Sequence, residues 1–258
     1  VSIEEHLSDD GVAELVLTHP PVNAYTIGDL HDLAARLDAI EHRPEVRAVI
    51  FRASGRGFCG GGDLKEVQSL EGFAGILGQS SGSYKASIAI AECAVPVVVA
   101  IHRYCIGVGV LLAGAADVVV ADENARFVLA EIDNGATGGA IQASGLMPEK
   151  RLRSAMFTCE PISAPELFRF GSIYELVADE DAVVASARRI ASLIASKPPR
   201  VVRRAKVSIN NAIGKDIRRM YRIELSYTYE LNLIGDAAAA RQTFLDGERG
   251  SYTAGDGG

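Results

Sequence analysis

Hydrophobic and polar residues alternate over 12–18 (VAELVLT), the two-residue period of a strand with one buried face, and His19-Pro20-Pro21 ends the run. The period then changes. Ile27, Leu30, Leu33, Leu37 and Ile40 recur at three- and four-residue steps, and Thr26 with Asp29 makes a capping-box start with Asp in place of Glu. An amphipathic helix is therefore predicted over 26–41. A second strand reads at 46–53 (VRAVIFRA). The runs 96–101 and 118–121 are short, apolar throughout and rich in β-branched residues, which suits strands covered on both faces. Helix-compatible sequence lies between them at about 71–93 and 108–115. Beyond Pro148 the strand signals fade, and 181–196, 200–213 and 216–234 carry helical patterns. Pro198-Pro199 and Gly214 punctuate those helices, and Gly235 is a plausible stop. The pattern predicts an α/β core over residues 1–180, a helical region over 181–250 and a frayed tail over 251–258, with no tandem repeat.

Composition narrows the function. The chain has 258 residues, 48% of them hydrophobic and 23% charged, with a net charge of −7. An acidic balance argues against a general nucleic-acid binder. Residues 188–222 nevertheless hold eleven Lys or Arg and the single acid Asp216. They read either as the solvated face of surface helices or as a local site for ligand phosphates. The four cysteines, Cys59, Cys93, Cys105 and Cys159, form no CxxC pair and no zinc-ligand spacing with the five histidines. Reduced thiols in a cytoplasmic protein are expected, with no metal. Residues 1–15 are acidic and alternating, unlike a secretory signal, and the apolar run near 105–121 is too short and too broken by glycine to cross a membrane.

Two glycine turns carry the candidate chemistry: 56–66 (RGFCGGGDLKE) and 95–111 (VPVVVAIHRYCIGVGVL). Each leads from apolar sequence through glycines into helix-compatible sequence. Two such turns can aim backbone N–H groups at one point, the requirement for holding an oxygen that becomes an anion. Glu131, flanked by Leu129, Ala130 and Ile132, is the candidate acid/base, since apolar surroundings raise a carboxyl pKa towards neutrality. If the backbone there is extended, Asp133 faces the same way, and the two acids can divide the roles of acid and base.

With PPVNAYT (20–26), GRGFCGGGDLKE (55–66), ECAVPVVVAI (92–101), CIGVGVLLAGAADVVVAD (105–122), ARFVLAEIDNG (125–135) and FGSIYELV (170–177) in this order, the chain resembles the enoyl-CoA hydratase/isomerase family, the crotonase superfamily, over nearly its whole length. The resemblance implies a spiral of ββα units with a C-terminal helical trimerisation region, and a homo-trimer or a hexamer built as a dimer of trimers. It implies acyl-CoA substrates, with coenzyme A entering as part of the substrate and no further cofactor. The backbone N–H groups of Gly62 and Val108 would form the oxyanion hole for a thioester enolate. The CoA end would lie near Ala24, Gly60, Asp63 and Leu64.

The chain departs from the family's hydratase pattern. Of the two glutamates that add water across a double bond, the second matches Glu131, whereas the first falls at Leu111. Val108 stands where the oxyanion turn usually has its middle glycine, and His102-Arg103 replaces a smaller pair. Among family branches the chain is most similar to the ring-opening CoA-thioester hydrolases of actinobacterial steroid catabolism, with YELNL (229–233) among the shared segments. Three activities are weighed. They are hydrolytic C–C ring opening of a cyclic β-diketone CoA thioester, hydration or isomerisation of an enoyl-CoA with a single glutamate, and, remotely, a non-catalytic RNA-binding or scaffold role. Whether Tyr25, Tyr84, His102, Arg103 or Cys105 lines the pocket is left open by the residues alone.

Overall fold

The computed structural model describes residues 2–214 and 216–246. The proposed tail at 251–258 lies outside the described residues. The first half alternates strands and helices: β1 (Ile3–Leu7), β2 (Val12–Leu17), α1 (Ile27–Ala39), β3 (Ala48–Ala53), α2 (Leu64–Ser69), α3 (Ala74–Glu92), β4 (Val97–Ile101), β5 (Tyr104–Ile106), α4 (Val108–Ala115), β6 (Val118–Asp122) and β7 (Arg126–Val128). The second half is mostly helical: α5 (Ala140–Ala143), α6 (Glu149–Thr158), β8 (Ile162–Ser163), α7 (Ala164–Arg169), β9 (Glu175–Val177), α8 (Glu180–Ala195), α9 (Pro199–Ile213), α10 (Ile217–Ile234) and α11 (Asp236–Leu245).

Among the described residues, six strands form one sheet in the order β1-β2-β3-β4-β6-β9, parallel except for the β1–β2 pair, and β5-β7-β8 form a second, smaller sheet. The central strand β4 is buried at every position, as its unbroken apolar run requires when both faces are covered. On one face lie α1 and α3, and on the other α8 packs against β3, β4 and β6.

The mixed α/β architecture and the helical C-terminal region agree with the sequence reading. The Thr26–Asp29 capping box forms in both directions, with Asp29 N–H donating to Thr26 Oγ1 and Thr26 N–H to Asp29 Oδ2, each at 3.0 Å. Gly214 and Gly235 end α9 and α10 in left-handed conformations. The fading of strand signals after Pro148 is corrected by β8 and β9. These strands have two and three residues, too few to show a period, and exist by pairing with β7 and β6.

Most of the basic segment is the solvated face of surface helices, one of the two readings made from the sequence: Arg189, Arg200, Arg204, Arg219 and Arg222 are exposed. Lys206 is buried, and its Nζ donates to the Ile90 and Val95 carbonyls at 3.0 and 3.2 Å and to Asp117 at 2.7 Å. Arg203 donates to the Arg43 carbonyl, and Arg218 pairs with Glu92. Lys206, Arg203 and Arg218 fasten the C-terminal helices to the core. No helix among the described residues is long and apolar enough to cross a membrane.

Candidate active site

Asn23 builds the first wall. Its backbone is left-handed (φ 53°), and its side-chain amide donates to the carbonyls of Ser54 and Gly57 at 2.8 and 2.7 Å, tying the 20–24 turn to the 54–60 loop. Gly60 donates its N–H to the Asn23 carbonyl at 3.1 Å. A Cβ on Gly60 would stand 2.8 Å from the Val22 carbonyl oxygen, so a larger residue there would push the two segments apart. Tyr25 N–H then reaches the Gly61 carbonyl, and Asp63 N–H the Tyr25 carbonyl. Asp63 caps α2 by accepting from Lys65 and Glu66 N–H.

The second turn is placed by β5. Ile106 N–H donates to the Cys59 carbonyl at 2.9 Å, which lays the 58–61 segment beside β5, and Gly107 N–H donates to Val128 of β7 at 2.8 Å. Gly107 adopts φ 52° and ψ −118°, a backbone state that only glycine takes readily, and α4 starts at the next residue. Here three segments converge: a Cβ on Gly107 would lie 3.8 Å from Gly61 Cα and 3.6 Å from Glu131 Oε1. Among the described residues, neither the Gly62 nor the Val108 N–H donates a hydrogen bond. Two backbone donors without acceptors in the wall of one cavity fit a ligand oxygen.

Glu131 projects from the end of the β7 segment. Its Oε2 is buried and has no hydrogen-bond partner, although the residue as a whole is part-exposed through the cavity. Burial lifts its carboxyl to about 8, and the nearby Glu224 carboxylate adds to the rise against the opposing pull of its own backbone. The extended backbone expected at 131–133 is not found. Residues Ile132–Asn134 form a single 3₁₀ turn, closed by Asn134 and Ala136 N–H on the Glu131 carbonyl and by the left-handed Gly135. Side chains two apart diverge in a helical turn. Glu131 and Asn134 line the cavity, whereas Asp133 does not.

The cavity has a volume of about 420 Å³. Ala24, Gly60, Asp63 and Leu64 lie in its wall, as do Gly62, Val108 and Glu131. Leu111, 3% exposed, lines it from α4 and touches Gly139 of the loop before α5. Tyr25, Tyr84, His102, Arg103 and Cys105 do not line it. The Tyr25 hydroxyl donates to the Phe58 carbonyl, His102 Nε2 lies 3.0 Å from the Gly55 carbonyl, and Cys105 pairs with Cys59 along the backbone. Tyr84 stacks on Tyr221, which does face the cavity. Burial holds the Cys59 thiol up at about 12, so it is inert.

The remaining wall was not legible in the sequence. It comes from α3, through Gln79, Ser80 and Ser83, and from α10, through Tyr221, Leu225 and Thr228. Glu224 of α10 accepts from the N–H groups of Gly139, Ala140 and Ile141 at 2.6, 3.0 and 2.9 Å. It fixes the loop against which Leu111 packs.

Residues 8–252 match the model of a protein family described as enoyl-CoA hydratase/isomerase. The chain is 41% identical over 238 residues to the (7aS)-7a-methyl-1,5-dioxo-2,3,5,6,7,7a-hexahydro-1H-indene-carboxyl-CoA hydrolase of Rhodococcus jostii (strain RHA1), covering 92% of each chain. It is 40% identical over 237 residues to the protein of the same name from Mycobacterium tuberculosis (strain ATCC 25618 / H37Rv), covering 92% of this chain and 96% of that one. In fold it superposes on an enoyl-CoA hydratase/isomerase from Pseudoalteromonas atlantica T6c with a TM-score of 0.84 at 23% identity, over 98% of this chain and 99% of that chain.

Proposed function

The chain belongs to the enoyl-CoA hydratase/isomerase family, and we propose that it opens a ring by hydrolysis of a C–C bond in a cyclic β-diketone CoA thioester, one derived from a steroid ring system. The carrying observation is a cavity with one unpartnered acid, Glu131, beside two unused N–H groups, and with Leu111 where a second acid would be needed to hydrate a double bond. The named activity of the two relatives near 40% identity supports the same reading.

In this reading the CoA portion enters past Ala24, Gly60, Asp63 and Leu64. The Glu131 carboxylate takes a proton from water, and the water oxygen bonds to a ring carbonyl carbon. The ring C–C bond then breaks, and its electron pair passes through the thioester α-carbon onto the thioester oxygen. The Gly62 and Val108 N–H groups hold that oxygen, and one such donor is worth roughly 3 kcal/mol. Glu131 returns the proton to the α-carbon, so the sum is addition of one water. Asp133, off the cavity wall, has no step. The test is ring opening in water labelled with heavy oxygen. One label in the new carboxyl group supports the reading, and its absence overturns it.

The assembly is read as a trimer or a dimer of trimers. Exposed apolar side chains on the C-terminal helices, including Val201, Ile209, Ile213, Met220 and Tyr227, support self-association. Four free, buried cysteines support a cytoplasmic setting. Sedimentation of the purified protein tests the assembly, and a monomer at micromolar concentration overturns it.

A further inference from the structure

Cleaving a β-diketone places two demands for oxyanion stabilisation on one site. Attack by water turns the ring carbonyl oxygen into an alkoxide, and breaking the C–C bond then puts charge on the thioester oxygen. In the ring-opening reading the Gly62 and Val108 N–H groups, both in the cavity wall and both without an acceptor, hold the thioester oxygen and so meet only the second demand. A further donor is required beside them, because the two oxygens of a β-dicarbonyl in its syn conformation lie side by side.

Gln79 stands at that place. It lines the cavity from α3, and its side chain lies against Gly62: a Cβ on Gly62 would be 2.4 Å from Gln79 Nε2 and 2.9 Å from its Cδ. Its Oε1 is buried without a hydrogen-bond partner, and Nε2 makes no hydrogen bond among the described residues. An amide left unmatched in a protein wall is costly, and such groups call for a functional explanation. The neighbouring polar groups of α3 differ. Ser83 approaches the Tyr221 hydroxyl, and Ser80 is almost wholly buried. Gln79 also cannot replace Glu131, because an amide takes up no proton at neutral pH.

We propose that Gln79 is a catalytic residue of ring opening, its Nε2 donating to the attacked ring carbonyl oxygen while Gly62 and Val108 hold the thioester oxygen. The inference rests on the ring-opening reading and adds to it the group that carries the first charge. Each electron pair keeps a destination. The carbonyl π pair goes to the oxygen held by Gln79, returns to form the C=O of the new carboxyl group, and expels the ring bond pair to the α-carbon.

The test separates the two oxygens. Gln79→Leu and Gln79→Met are compared with wild type in two reactions: opening of a cyclic β-diketone CoA thioester, and exchange of the α-protons of butyryl-CoA with deuterated water. The exchange needs only Glu131 and the thioester hole. Ring opening is expected to fall by roughly 100-fold or more in kcat, with KM and α-proton exchange close to wild type, and with Gln79→Met giving the same pattern if Gln79→Leu folds poorly. Ring opening at the wild-type rate in both variants overturns the role of Gln79 alone. Equal loss of both reactions overturns it as well, by making Gln79 a support of the thioester hole. Failure of the wild type to open the ring overturns the ring-opening reading itself, and the Gln79 role with it.

Discussion

Leu111 packs onto the bare α-carbon of Gly139, so closely that a Cβ on Gly139 would stand 2.6 Å from Leu111 Cδ1. Gly139 is left-handed there, at φ 111°, and Glu224 holds its N–H at 2.6 Å. The α4 helix and the α5 loop thus close one end of the cavity with an apolar contact. Leu111→Glu would place a carboxylate in this contact. We expect it to lower stability by about 1–3 kcal/mol, read as a lower midpoint in urea. An unchanged midpoint contradicts the burial of Leu111.

Glu131→Gln is expected to abolish proton transfer while preserving the fold, with a loss of at least about 100-fold in ring opening. In wild type the base must be ionised. Its carboxyl sits at about 8, so kcat/KM rises with pH and levels off above that value. Ring opening by Glu131→Gln at the wild-type rate rules out the mechanism.

The same carboxyl links stability to pH. Its folded value of about 8 lies above the ordinary glutamate value of 4.5, so between the two the folded state keeps a proton that the unfolded state releases. Stability therefore falls as pH rises through this window. Glu131→Gln removes the dependence. Urea titrations from pH 5 to pH 9 are expected to show the variant gaining on wild type as pH rises, and a constant difference contradicts the buried acid.

Glu224 contacts three backbone N–H groups of the loop at 139–141 and also contributes to the raised Glu131 value. Glu224→Ala leaves these donors without their carboxylate. It is expected to lower stability by about 1–3 kcal/mol and to move the rise in kcat/KM towards lower pH. Both readings come from denaturant melts and a pH–rate profile on one sample. A melt shift without a profile shift leaves Glu224 with a purely structural role.

Asp133→Ala separates the sequence expectation from the geometry. Its turn directs it away from the cavity wall, so activity on the ring substrate is expected to stay within about threefold of wild type, a change of roughly 0.6 kcal/mol. A loss comparable to that of Glu131→Gln would restore the two-acid mechanism.

The regular elements were legible because local signals carry them. Thr26 and Asp29 announce α1, Asp216 caps α10, and the apolar runs of β4 and β6 need no partner to be recognised. The short strands β5, β7, β8 and β9 owe their existence to pairing between distant segments. The turn after Glu131 carries its own signal in Asn134-Gly135, a turn dipeptide that outweighs the extended reading. Gln79 and Glu224 had no such signal. Gln79 follows the first glycine turn closely and Glu224 lies far beyond both turns, yet only the packing of α3 and α10 brings Gln79 into the cavity wall and Glu224 onto the loop at 139–141.

The most direct measurement is the turnover of two CoA thioesters by the purified protein, followed by mass spectrometry: crotonyl-CoA and a bicyclic β-diketone acyl-CoA of the steroid-ring type. Gain of one water with ring opening on the second, and no hydration of the first, is the predicted result. Efficient hydration of crotonyl-CoA with the ring substrate untouched would contradict the account, because a second group would then have to hold the water that Leu111 cannot.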